Sequence, residues 1–331
     1  MRRVPAHAPR TRAEATLNPA PKAFSVARIT PSMNLPATLR ANSQKFRLDR
    51  LDPRYRGDLS RETAADLQGH QLVELQALQS RLYAERRNAV LVILQGMDAS
   101  GKDGIVQHVM SGINPAGCDI TSFKAPSPAE LDHDYLWRCH QKTPPRGTIG
   151  IFNRSYYEEV LVVRVHPELL LPERLPRTSP APSRLWKQRY RQIRDFERHL
   201  VENGTRVVKC FLHISAEEQL DRFLQRIDDP ARNWKFDVND ERERRHWDAY
   251  QEAFNEMIRE TSTKIAPWHV IPADRKWFAR VAVAAILVET LQDIDPHFPE
   301  MDEVQRQALK DIRKRLSQTE PRSRRKQAHE D

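Results

Sequence analysis

The sequence predicts an α/β protein in which buried parallel strands alternate with helices, and three observations carry that reading. Val90, Leu91, Val92, Ile93 and Leu94 form an unbroken apolar run, the mark of a strand covered on both faces. A glycine-bearing turn from Gly96 to Gly101 follows at once. Ile105, Val106, Val109, Met110 and Ile113 then recur at helical spacing. The turn therefore stands between a buried strand and a helix N-terminus, where backbone N–H groups lack intrahelical partners and attract phosphate.

The spacing Gly96-x-x-x-x-Gly101-Lys102 matches the loop whose amides cradle phosphates while its lysine reaches the outermost ones. Gly96, Ala99, Ser100, Gly101, Lys102, Asp103 and Gly104 are thus candidate phosphate ligands. Asp103 stands where Ser or Thr would bring a hydroxyl to a metal, so the metal must be held otherwise, and Asp98 inside the loop is the substitute. A carboxylate there repels phosphate unless a divalent cation lies between them, which points to Mg2+, with Mn2+ as a replacement. An ordinary Asp-Ala-Ser turn is the plainer alternative, but strand, glycines, lysine and helix together outweigh it.

The 331 residues could hold one large domain or two small ones, and a hydrophobic content of 39% suffices for a sizeable core in part of the chain. The net charge of +9 suits a polyanionic partner: nucleic acid, an anionic membrane surface or a polyphosphate-like substrate. Cys118, Cys139 and Cys210 are odd in number and lack metal-site spacing, which fits a reducing cytoplasm. The most apolar helix, around Val281 to Val288, is short and flanked by charge, so it reads as core and no membrane span is expected.

Residues 1–44 read as a disordered basic extension, rich in Arg, Pro and Ala. A transit peptide has a similar composition, but Pro5, Pro9, Pro19 and Pro21 break any amphipathic helix, and Met33 offers an alternative start. From Ser60 a helix carries Leu67, Leu72, Leu75, Leu78 and Leu82 on one face, to pack on the sheet edge or on a second subunit. A second strand, 119–123, delivers Lys124 to the sheet edge where ligands gather, making it a candidate phosphate ligand. Ser127-Pro128-Ala129-Glu130 is a capping box that starts a helix through LDHDYLWR, where Asp132 either serves the helix dipole or reaches a ligand.

The third strand, 148–152, ends in Asn153-Arg154-Ser155-Tyr156-Tyr157-Glu158, with Asn153 where related loops place a metal-holding aspartate. Arg154 suits bidentate phosphate contact, and Glu158 follows one turn on. After a proline-rich loop at 166–183 come a basic amphipathic helix, 185–200, and a fourth strand, 207–214. Ser215-Ala216-Glu217-Glu218 reads as another capping box, opening a helix with Arg222 and Arg226 on one face. Lys235 follows in a tryptophan-bearing turn, and a second helix carries Trp247, Tyr250, Phe254 and Met257. Two helices joined by a basic turn, about 218–258, are expected to form a mobile lid that clamps phosphate and excludes water. A fifth strand, 268–271, a final apolar helix, 276–291, and a C-terminal segment 298–331, a helix with a disordered charged tail, complete the chain.

The blocks LQGMDASGKDG, VMSGINPAGC, SFKAPSPAELDHDYLWR, GIFNRSYYEEVLVVRVHPE, RIDDPARNWKF and IPADRKW together resemble the polyphosphate kinase 2 family over residues 45–297. The resemblance implies a P-loop NTPase-like, thymidylate-kinase-like three-layer fold with a five-stranded parallel sheet. It also implies phosphoryl transfer from inorganic polyphosphate to a nucleotide. Asp98 then holds magnesium and orients the acceptor, while Lys102 and the loop amides hold phosphate. Asn153, Arg154 and Glu158 stand where metal and acceptor meet, Asp132 counts with them as nucleotide-binding, and Arg222, Arg226 and Lys235 belong to the lid. The NRSYYE version is similar to members that take AMP as well as ADP. The expected partners are polyphosphate and nucleotide, with no nucleic acid and no membrane, in a homo-oligomer, a dimer or tetramer. An ATP-dependent nucleotide kinase is the nearest rival, opposed by Asp98, Asp103 and Asn153; a basic nucleic-acid-binding protein lacks aromatics interleaved along a basic stripe.

Overall fold

The structure is a computed structural model that describes residues 35–41, 46–177 and 179–319. In chain order the helices and strands are α1 (Leu35–Leu39), α2 (Arg61–Glu85), β1 (Ala89–Gln95), α3 (Lys102–Val109), β2 (Cys118–Ser122), α4 (Pro128–Leu131) and α5 (Trp137–His140). Then come β3 (Ile149–Asn153), α6 (Val162–Val165), α7 (Pro182–Glu202), β4 (Thr205–His213), α8 (Ala216–Asp228), α9 (Val238–Arg244), α10 (Trp247–Thr261), β5 (Trp268–Pro272), α11 (Lys276–Ile294) and α12 (Glu303–Thr319).

Among the described residues the five strands pair in the order β2-β3-β1-β4-β5, every pair parallel. Every residue of β1 is buried, as its apolar run requires, and this central strand feeds the glycine turn. Helices cover both faces. On one, α11 packs against α3 and α2, whose Leu75, Leu78 and Leu82 are buried. On the other, α7 and α10 cover a core that includes Leu91, Ile93, Phe152, Tyr190, Phe254 and Trp268. The leucine face of α2 is thus spent on α11. No helix among the described residues is long and apolar enough to cross a membrane.

Three expectations need correction. The disordered extension was drawn to residue 44, yet Leu35, Leu39 and Ala41 are buried, and Ala41 N–H donates to the Trp268 carbonyl at 2.8 Å beside an Arg40–His269 bridge on the edge strand β5. Residues 1–34, 42–45 and 320–331 lie outside the described residues, and with them the rest of that extension, the alternative start and the end of the charged tail. The Ser127–Glu130 capping box forms in both directions, but its helix stops at Leu131. Asp134 accepts the Leu136 N–H at 3.0 Å, a local turn that competes with helix, and His133 stacks on Trp137 across it. At Ser215 the hydroxyl caps α8 as expected, yet the reciprocal partner is Asp274, which accepts from both the Ser215 N–H and its hydroxyl at 2.8 Å.

Candidate active site

The glycine turn takes backbone shapes that its residues dictate. Gly96 has φ +154°, and a Cβ on it would sit 2.8 Å from the Leu212 carbonyl oxygen, so the close passage of β4 demands glycine. Gly101, at φ +103°, caps α3, and between them Ala99 is left-handed at φ +61°. The first N–H groups of α3 therefore open toward a cavity of about 770 Å³ lined by Asp98 to Gly101 of the turn and by residues of α3, α8, the 232–240 segment and α11.

The turn is braced from behind. Arg222 Nη1 donates to the carbonyls of Ala99 (2.9 Å) and Ser100 (3.0 Å), Nη2 to those of Ala273 (2.6 Å) and Asp274 (3.1 Å), and Nε to Glu218 (2.8 Å). Gln219 adds a bond to the Asp98 carbonyl. Arg222 is consequently a buried strut that aims the loop, not the mobile lid cation expected of it. Lys102 is buried too, its Nζ donating to the carbonyls of Gly96 (2.8 Å) and Met97 (3.1 Å). Burial pulls its pKa down to about 8, against the opposing field of Asp98.

The end of β3 faces the same turn. Arg154, left-handed at φ +64°, pairs through Nη2 with Asp98 at 2.7 Å, and Asn153 Nδ2 donates to Asp103 at 2.8 Å. Glu158 accepts from Gln95 Nε2 at 3.0 Å. Lys124 stands beside them, its backbone carbonyl gripped by Arg138 at 2.9 Å. Arg154 and Lys124 also line a second cavity, of about 780 Å³, whose walls include Phe123, Leu131, Tyr135, Val162 and Leu169. Asp132 lies on that second cavity, exposed and paired with Arg174 at 3.2 Å. At its wall the buried Arg189 holds Glu159 and Glu173, and burial with mutual repulsion lifts Glu159 to about 7.

Of the expected lid, Arg226 pairs with Asp240 at 3.5 Å and Lys235 rests over the Trp234 ring, both on the first cavity. The expected lid span does not hold throughout: Tyr250, Phe254 and Met257 of α10 are core residues, which leaves about residues 229–246 as its largely exposed part. Sequence reading missed Lys276 and Arg280, which line the first cavity from α11. Their i,i+4 spacing just after a strand's C-terminal end was the available signal, masked by the apolar character of the rest of that helix.

No group of three His, Cys, Asp or Glu side chains among the described residues could hold a metal by itself. The half-exposed Asp98 carboxylate, Asp103 and the Asn153 amide are hard oxygen donors beside the turn, and one or two such ligands completed by phosphate oxygens and water suit Mg2+.

A parallel sheet with a braced phosphate loop after its central strand, cations on both rims and a second cavity opening at the same edge defines a P-loop phosphotransferase of the kinase type. Comparison with known proteins narrows that class. The model of the polyphosphate kinase 2 family matches residues 58–299, and the chain belongs to that family. It is 48% identical over 267 residues to an ADP-polyphosphate phosphotransferase of Rhodopseudomonas palustris, covering 81% of this chain and 91% of that one. An AMP/ADP-polyphosphate phosphotransferase of Meiothermus ruber is 45% identical over 258 residues, covering 77% and 92%. The crystal structure of polyphosphate kinase 2 from Arthrobacter aurescens superposes with a TM-score of 0.76 at 39% identity, over 83% of this chain and 95% of that one.

Proposed function

We propose that this protein transfers the terminal phosphoryl group of inorganic polyphosphate to a nucleotide, ADP and also AMP, in a reversible, Mg2+-dependent reaction. The observation that carries the reading is the pair of cavities meeting at Lys124 and Arg154. The one beside the loop is rich in cations and suits a polyanion, whereas the other has the apolar and aromatic walls that a nucleoside needs. Polyphosphate then enters over the loop, the nucleotide fills the second cavity with its phosphates toward the junction, and the group transferred crosses between them.

Little covalent chemistry is asked of the protein, because phosphoryl transfer depends on alignment and on neutralising the charge of the group in flight. Lys102 exchanges its loop carbonyls for phosphate oxygens, whose negative charge favours the ammonium that burial disfavours. Arg154 turns from Asp98 to the transferring group or the acceptor phosphate, a fork that a guanidinium can share bidentately. Glu158, anchored by Gln95, orients the acceptor side. Asp98 and Asn153 would hold the magnesium ion, which when bound supplies charge neutralisation between phosphates. Closure of the 229–246 segment brings Arg232 and Lys235 over the donor, beside Arg226 of α8, and excludes water. A homo-oligomeric state belongs to the same reading, supported by Val304, Leu309 and Ile312 exposed on α12, and light scattering on the purified chain measures it.

The test is incubation with ADP, or with AMP, and polyphosphate in the presence of magnesium and without ATP. Formation of ATP from ADP, and of ADP from AMP, is the expected result. A protein that phosphorylates nucleotides only when given ATP overturns it.

A further inference from the structure

Arg154 owes its place to a backbone shape that arginine disfavours. At φ +64° it lies in the left-handed region, which a side-chain-bearing residue keeps only when its surroundings over-determine it. On its N-terminal side the restraint is plain: Arg154 N–H donates to the Leu94 carbonyl of β1 at 3.1 Å. On its C-terminal side the chain runs through the fully buried Ser155, whose hydroxyl accepts the Tyr157 N–H at 3.2 Å, into two buried tyrosines.

Those tyrosines end in an ionic network inside the core. Tyr156 and Tyr157 both donate their hydroxyls to Glu197 Oε1, at 3.0 and 2.7 Å. The other oxygen of Glu197, on α7, accepts from Lys209 of β4 at 2.7 Å. Lys209 spends its remaining N–H groups on the Tyr157 oxygen (3.1 Å) and the Thr261 carbonyl at the end of α10 (2.7 Å). All three donors of the lysine are used, and neither member of the ion pair is more than 1% exposed. Trp268 completes the shell, lending its ring to the ammonium and its N–H to Thr261 Oγ1.

Stability alone does not account for this arrangement. Burying an ion pair costs desolvation that apolar side chains of the same size would avoid, so such pairs are weak contributors to folding free energy. A fully satisfied polar network does, however, fix one geometry where an apolar core would tolerate several. What this one fixes is the segment directly after Arg154.

We propose that Glu197 and Lys209 are positioning residues for catalysis: through Tyr156 and Tyr157 they lock the left-handed turn that aims Arg154 at the junction of the two cavities. The proposal rests on the phosphotransferase function above. Neither charged residue reaches a substrate; they act through Arg154, two residues upstream of the first tyrosine.

The test replaces the network without leaving an orphaned charge. Tyr156→Phe, Tyr157→Phe, Glu197→Met and Lys209→Met together exchange it for apolar side chains of similar size, which keeps the fold. ATP formation from ADP and polyphosphate is then expected to lose about tenfold or more in kcat, with both KM values within about twofold, as misalignment of one catalytic group predicts. Tyr157→Phe alone, which deletes one hydroxyl and keeps the ring, shows the same split in smaller measure and serves where the fourfold variant folds poorly. In an Arg154→Lys background, followed by single-turnover assay, the loss from Tyr157→Phe shrinks to less than about twofold, because the two changes act through the same contact. A fourfold variant that folds with native kcat, or losses that simply multiply in the Arg154→Lys background, overturns the positioning role. Absence of polyphosphate-driven turnover in the native protein strikes instead at the function itself.

Discussion

The two cavities share Arg154 and Lys124 but are built on opposite plans. The loop side is polar and exposed toward the 229–246 segment, its cations paired with carboxylates or parked on backbone carbonyls. The second cavity is walled by aliphatic and aromatic residues and anchored by the buried Arg189 with its two acids. A long polyanion is recognised by charge density and needs little shape, whereas a nucleoside is recognised by enclosure. The difference separates the handles on the enzyme: salt, pH and charge deletion act on one side, side-chain volume on the other.

The largest expected effect comes from the loop side. Asp98→Asn or Lys102→Ala loses about 10²- to 10³-fold in kcat while the far-ultraviolet dichroism of the fold persists, as removal of a preorganised electrostatic group does. Native turnover in either variant breaks the assignment of that cavity as the donor site. Salt comes next. Between about 50 and about 200 mM the KM for polyphosphate rises about tenfold or more and that for nucleotide far less, because several cations release counterions on one side only. Equal slopes would erase the contrast.

A similar effect follows from pH. Burial holds Lys102 to about 8 in the free enzyme, so the ammonium is present below that pH and lost above it. The profile of kcat/KM for polyphosphate, which reports the free enzyme, should fall by about tenfold per unit at pH well above 8. A flat profile to pH 10 would mean that Lys102 stays charged or does not meet the donor. The smallest expected effect lies on the nucleotide side: Leu169→Ala removes part of an exposed apolar wall and raises the nucleotide KM about threefold to tenfold, leaving the polyphosphate KM unchanged.

The sheet was legible because its strands declare themselves locally. The run at 90–94, the glycine turn and the capping residues at 60, 127 and 215 all lie where periodicity and turn chemistry put them. So was the approach of Asp98, in the turn after β1, to Arg154 just past the end of β3: neighbouring parallel strands bring both to one edge, with Asn153 beside Asp103. Arg222 was misread because nothing near it in sequence foretells four carbonyl partners from two distant turns. Lys276 and Arg280 were hidden in an apolar helix, and α10 was taken for lid because its aromatic stripe reads the same whether it meets a core or a ligand. Local pattern fixes where a residue sits on its element; what faces it is decided by the rest of the chain.

The Arg222 strut also joins parts of the chain that are synthesised far apart in time. Its guanidinium ties carbonyls 123 and 122 positions upstream to others 51 and 52 positions downstream. A nascent chain that has emerged only as far as β4 carries the glycine turn but none of this grip, and the full set of Arg222 contacts forms only once β5 and the turn after it have been synthesised and seated. Fragments ending before residue 273 should therefore collapse without acquiring the ability to hold an anion there, and a ribosome-stalled series would reveal a sharp onset rather than a gradual one.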